Sequence, residues 1–227
     1  MTDYFSKWWM IMVRPIYFYT KMKEQDWKQD SLTYLLVNSW ILAFFAAIMI
    51  FIVQYIPIGS TLVEGIGGIK FLTILPVLLV LIFVFFSITF LILGGLFSLG
   101  FFIMLFLAAW LLHYVYIFLG GKGSLNKMVQ ACFYSSAVLL PANIIIFLLV
   151  LVKYGPLNFT LFKAGFAFIY LLMAVYWYGL WAIAGRKTYK VAKAKAFLGA
   201  AVPAIALLIF AFIFGKIILP RFEPWIT

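Results

Sequence analysis

Between Lys70 and His113 the sequence lacks a single charged side chain, a gap of forty-two residues. Buried helices of soluble proteins rarely stay apolar beyond about 14 residues, whereas a bilayer span needs about 20. The gap therefore excludes a soluble core and puts this segment in lipid. Acids are scarce elsewhere too: Asp3, Glu24, Asp26, Asp30, Glu64 and Glu223 are the only carboxylates, and none interrupts an apolar run. The buried acids of proton- or sodium-coupled secondary transporters are thus missing. The single cysteine, Cys132, excludes an internal disulfide and lies in an apolar run, where it packs as a small hydrophobe. One His, one Cys and no carboxylate cluster exclude ordinary zinc ligation, so no metal or cofactor is expected. Ser135 and Ser136 have no acid nearby to complete a nucleophilic triad, and the chain reads as non-enzymatic.

What is abundant agrees. Hydrophobic residues make up 67% and charged ones 10%, with mean hydropathy +1.17, all far from the soluble range. The net charge of +11 would suggest nucleic acid in a soluble protein, but phosphate contacts need a basic face outside the membrane, so no nucleic-acid partner is expected here. Basic loops on a polytopic protein instead obey the positive-inside rule and meet anionic headgroups.

The amino-terminal segment is not a cleaved signal, since Asp3 and Lys7 interrupt it and no small-residue cleavage pattern follows. Trp8, Trp9, Tyr17, Tyr19 and Trp27 alternate with Lys7, Arg14, Lys21, Lys23 and Lys28. That mixture favours the headgroup zone. Residues 1–30 are expected to form an interfacial cytoplasmic arm, with Asp30 or Ser31 capping the first span. Residues 31–227 form the single membrane domain.

Four spans are unambiguous, over residues 32–55, 128–152, 164–184 and 196–215. Residues 71–119 are long enough for two, with a possible turn at Gly94-Gly95 and a break or kink at Pro76. Charge decides. One crossing puts twelve basic residues on one side and five on the other; two crossings give nine against eight. Because orientation follows Lys and Arg bias in short loops, the expected architecture is all-α: a polytopic helical bundle of five spans, amino terminus cytoplasmic and carboxyl terminus outside. The surplus, residues 71–93, is expected as a tilted, re-entrant or interfacial helix.

Polar groups within the apolar runs are few. His113 lies seven residues before Gly120, about 10 Å below that loop. Pro141 frees the carbonyl near Ala137, and Asn143 can bond across helices. With Gln54 these define a candidate intramembrane polar site, read first as helix-packing glue and alternatively as the lining of a small-solute or ion path. The aromatic ladder Tyr170, Tyr176, Trp177, Tyr178 and Trp181 is read as core packing plus interfacial belt. Gly120-Gly121-Lys122-Gly123-Ser124 fails the phosphate-loop spacing; it is read as a tight turn, with a nest of anion-binding amides as the alternative. Arg186, Lys190 and Lys193 recur at helical spacing, flanked by Lys187 and Lys195. A short helix there would aim a positive face at the leaflet, making these five residues the candidate lipid-binding site and anionic phospholipid the expected ligand.

Arg14-Pro15, His113-Tyr114 leading to Leu119-Gly120-Gly121-Lys122-Gly123-Ser124, then Tyr134-Ser135-Ser136 and Leu140-Pro141, together resemble the Yip-domain family, polytopic proteins related to the eukaryotic Ypt/Rab-interacting proteins. The resemblance runs from about Arg14 to the last helix and implies five spans with a cytoplasmic amino terminus. Eukaryotic members carry a longer amino-terminal region implicated in trafficking and contact with prenylated GTPases. The short arm here argues against GTPase binding and implies a prokaryotic-type member of the bacterial inner membrane. The expected function is a non-enzymatic protein that binds anionic lipid and organises the membrane or partner proteins. Self-association through Gly199, Ala200, Ala201 and Ala204 is a further expectation.

Overall fold

The computed structural model describes residues 2–52, 59, 69–151 and 159–222. Its helices are α1 (Thr2–Val13), α2 (Pro15–Lys21), α3 (Asp30–Ile50), α4 (Ile69–Phe118), α5 (Leu125–Tyr134), α6 (Leu139–Leu151), α7 (Phe159–Tyr189) and α8 (Lys193–Ile213), with a 3-10 turn at Ser135–Val138 joining α5 to α6. No strand occurs among the described residues. Five stretches are long and apolar enough to cross a membrane: Asp30–Ile50, Thr73–Phe118, Leu125–Ile145, Lys163–Tyr189 and Lys193–Ile218.

Polarity sorts these spans. Leu125–Ile145 is the least apolar and the most buried, while Thr73–Phe118 is the most apolar and the least buried. Lipid accepts Leu and Phe but rejects Gln130, Ser135 and Ser136, so the polar span becomes the hub of the bundle. From Met128 to Leu140 every residue is buried.

Residues 71–119 do not fold back. Helix α4 runs unbroken through Pro76, Gly94 and Gly95, which excludes the turn at Gly94-Gly95 and, with it, a re-entrant surplus. In lipid a broken helix strands backbone groups that water would otherwise satisfy. Gly94 serves a different purpose: a Cβ there would lie 2.4 Å from Trp40 Cζ3, so the glycine lets α3 approach. The two helices pair antiparallel, Phe51 meeting Phe86, Trp40 meeting Phe90 and Trp27, just before α3, meeting Phe106. At 1.5 Å per residue α4 is about 75 Å long, well over the roughly 30 Å hydrocarbon thickness.

The arm docks on the bundle. Pro15 forces Arg14 out of helical conformation, φ −131° and ψ 53°, and starts α2 at its first position. Tyr4, Trp8, Ile11 and Met12 of α1 and Tyr19 of α2 face the same core as Met128 and Phe133. The first span is capped differently from expectation. Gln29 is its N-cap and makes no side-chain cap bond; Asp30 instead pairs with Lys7 at 3.4 Å, and the Ser31 hydroxyl donates to the Trp27 carbonyl at 2.9 Å.

Candidate functional site

Three connecting stretches meet at one end of the bundle: residues 22–29 after α2, 119–124 after α4 and 190–192 between α7 and α8. Each is held by identifiable bonds. Helix α4 ends in a Schellman motif, with Gly120 at φ +87°, its amide donating to the Ile117 carbonyl and that of Gly121 to the Tyr116 carbonyl, both at 2.9 Å. The Lys122 amide donates to the Tyr189 carbonyl at 3.1 Å. These three amides are therefore occupied, and the reading of this loop as an anion nest does not hold.

Tyr116 and Tyr189 explain the glycines around them. The Tyr116 ring is fully buried in a seat where a Cβ on Gly185 would lie 2.1 Å from its Cζ and one on Gly199 2.5 Å from its Cε1. Its hydroxyl donates to the Ala196 carbonyl at 2.8 Å, with the Trp181 carbonyl at 3.2 Å. Tyr189 stacks on it at 5.2 Å between centroids, and Cβ atoms on Gly121 and Gly123 would each lie 2.7 Å from Tyr189. Gly199 thus seats Tyr116; Gly199, Ala200 and Ala204 are buried within the chain and Ala201 is half-buried.

The arm is tied to the same end. Ser124 caps α5, accepting from the Lys127 amide at 3.2 Å, and donates to Glu24 Oε1 at 2.5 Å. Asn126 donates to the Gln25 carbonyl at 2.8 Å and accepts from the Trp27 amide at 3.3 Å. Lys195 donates to the Leu119 carbonyl at 2.9 Å, satisfying an orphan acceptor at the end of α4. The three segments that carry twelve of the seventeen basic residues are in direct contact.

The expected lipid-binding residues sit here, though not on a short helix of their own. Arg186 and Lys187 close α7, Lys190 occupies the linker at φ 54°, and Lys193 and Lys195 open α8. The left-handed residue ends one helix before the next begins. Arg186, Lys190, Lys193 and Lys195 are exposed and Lys187 is half-buried. Among the described residues the only ion pairs belong to Lys7, to Asp3 at 3.0 Å and to Asp30 at 3.4 Å. Burial alone would depress Lys7, but the hydrogen bond and charges of these acids outweigh it and hold its ammonium above the ordinary lysine value. Burial pushes the neighbouring Tyr4 phenol up to about 12.

A family model described as the Yip1 domain matches residues 9–215. The chain belongs to the Yip1-domain family. No curated protein and no solved structure matches it. In this Yip1-domain protein one of the motifs behind the resemblance, the stretch from His113 to Ser124, forms part of the basic end.

The intramembrane polar candidates are separated. His113 Nδ1 lies 2.6 Å from the Tyr189 hydroxyl, about 10 Å from the Gly120 loop, whereas Asn143 is about 28 Å along its span from Ser124. The Asn143 amide nitrogen is buried without a hydrogen-bond partner among the described residues, and Gln54 lies outside them. The polar contacts that organise the bundle centre elsewhere. Trp177 and Trp181 stack nearly parallel, 5.8 Å apart, and both indoles donate to Ser135, to its carbonyl at 2.8 Å and its hydroxyl at 3.1 Å. Asn38 accepts from Tyr4 at 2.5 Å and donates to Ser136 at 2.8 Å. Glu24, Tyr116 and Tyr189 were the residues at this end least visible in sequence; Gly185 and Gly199 inside α7 and α8 were the signal for Tyr116 and the loop glycines Gly121 and Gly123 that for Tyr189, while nothing marked Glu24.

Proposed function

We propose that this Yip1-domain protein is a non-enzymatic membrane organiser of the bacterial inner membrane, amino terminus cytoplasmic, whose basic end binds anionic phospholipid and gathers partner membrane proteins on it. One observation carries this reading: Arg186, Lys187, Lys190 and Lys193 have no acidic partner among the described residues, yet the backbone beneath them is fixed by Tyr189, Lys122 and Lys195. With the backbone already fixed, meeting headgroups costs this cluster only side-chain ordering. Each near-surface charge contributes on the order of 1 kcal/mol toward anionic lipid. The positive-inside rule supports the orientation.

The test is a variant with Arg186, Lys187, Lys190 and Lys193 all changed to Gln, keeping Lys195 because it also caps α4. Native mass spectrometry of the gently solubilised protein should show fewer retained phosphatidylglycerol molecules and a weaker loss of them with salt. Unchanged retention with unchanged salt dependence would reduce this cluster to a topology signal.

A further inference from the structure

The elbow between α1 and α2 carries a second, separate feature. Residues Phe5, Trp9 and Val13 recur every four positions along the outer face of α1, and all three are more than half exposed. The inner face, with Tyr4, Trp8 and Ile11, is docked on the core. Beyond the bend, Ile16 and Tyr17 continue the exposed apolar surface. Between this elbow and α7 lies an open groove of about 530 Å³ lined by Val13, Arg14, Pro15, Ile16, Tyr17, Thr20, Lys21 and Ile183.

The groove is preformed. Pro15 sets the bend, and the Tyr176 hydroxyl donates to the Met12 carbonyl, pinning the end of α1 to α7 beside it. Its polarity is lopsided: the floor is apolar, while Arg14 and Lys21 stand at its rim, both exposed and neither in an ion pair among the described residues. The Lys21 ammonium lies 4.5 Å from the centre of the Tyr17 ring, which holds it at that rim. An apolar channel ending in two unpaired cations is complementary to an amphiphile with a negative head. Aromatic residues with polar tips, as Trp9 and Tyr17 are, favour the headgroup level.

We infer that this groove binds one anionic phospholipid, its acyl chain along Val13, Ile16, Tyr17 and Ile183 and its phosphate between Arg14 and Lys21. Arg14 and Lys21 belong to the arm, but the site uses none of the four cations Arg186, Lys187, Lys190 and Lys193 that carry the proposed function. It gives the Arg14-Pro15 pair a purpose: Pro15 bends the chain, and the bend sets Arg14 at the mouth of the groove.

The experiment uses the full chain in phosphatidylcholine nanodiscs carrying a minority of phosphatidylglycerol with a photoactivatable group on its acyl chain. Adducts are mapped by peptide mass spectrometry. Labelling should concentrate on residues 13–17 and on Ile183, and exceed that from the matching phosphatidylcholine probe. Arg14→Gln with Lys21→Gln should reduce it by about tenfold or more, as expected for two near-surface charges, while labelling of the exposed Ile205 and Ile209 on α8 stays constant. Arg14→Lys with Lys21→Arg should restore it, showing that the double Gln variant has not merely lost its fold. Ile183→Trp, which fills the groove and leaves both charges, should also lose it. The variant lacking the four cations of Arg186, Lys187, Lys190 and Lys193 should label the elbow normally, so the two lipid sites fail or stand separately. Equal labelling by both probes, insensitive to all these changes, would overturn the proposal and leave the elbow in contact with bulk lipid only. Full competition by soluble glycerol phosphate would overturn it equally, because the acyl chain would then be irrelevant.

Discussion

The indole of Trp8 donates at 3.0 Å to the carbonyl of Ala137, the carbonyl that Pro141, four residues on, has no amide to satisfy. A side chain of the arm thus fills a vacancy created by a proline deep in the hub. The pairing joins residues 129 positions apart and explains how the arm holds to the bundle.

Trp8→Phe should therefore lower thermal stability by about 1 kcal/mol, the usual scale of a buried hydrogen bond in a helix bundle. In a Pro141→Ala background, where the new amide can serve Ala137, the same change should have a clearly smaller effect. Equal effects in both backgrounds, measured as a double-mutant cycle, would show that Trp8 contributes by packing alone.

Gly185 and Gly179 lie on the same helix and should respond oppositely to alanine. At Gly185 the new methyl would sit 2.1 Å from the Tyr116 ring, an overpacking expected to destabilise by roughly 1–3 kcal/mol. At Gly179 nothing lies within 4 Å, and replacing a mid-helix glycine should stabilise by up to about 1 kcal/mol. Melting curves of the two variants in the same detergent compare them. Similar shifts would contradict the seating of Tyr116.

His113 and Tyr189 are expected to act as packing partners. His113→Ala and Tyr189→Phe should each lower stability by about 1 kcal/mol and together by less than the sum. Ion and solute flux in proteoliposomes should not change. Lost flux with unchanged stability would favour the transport alternative.

Much of this architecture was legible in the chain. The apolar runs, their lengths and the twelve-to-five distribution of basic residues pointed to five spans, because lipid imposes composition and length directly. The freed carbonyl at Ala137 was legible too, since a proline's missing amide acts locally. Its donor was not: Trp8 reaches it only through the docking of α1. The same limit hid the meaning of Gly94 and Gly185, whose value lies in the Trp40 and Tyr116 rings that approach them. Gly94-Gly95 looked like a turn because glycine is a breaker in water; inside lipid a helix has no alternative partner for its amides. The basic segment at Arg186 to Lys195 kept its charge and lost its expected helix, since the left-handed Lys190 divides it.

The proposed function depends on the arm, the 119–124 loop and the 186–195 segment forming one basic end on one side of the membrane. Single cysteines at Lys21, Lys122, Lys190 and Lys216, each in a Cys132→Ala background, test this most directly through labelling by a membrane-impermeant maleimide in sealed right-side-out and inverted vesicles. The first three positions should label only in inverted vesicles and Lys216 only in right-side-out ones. If Lys122 and Lys190 label on opposite sides, or Lys21 and Lys216 on the same side, the common basic end does not exist.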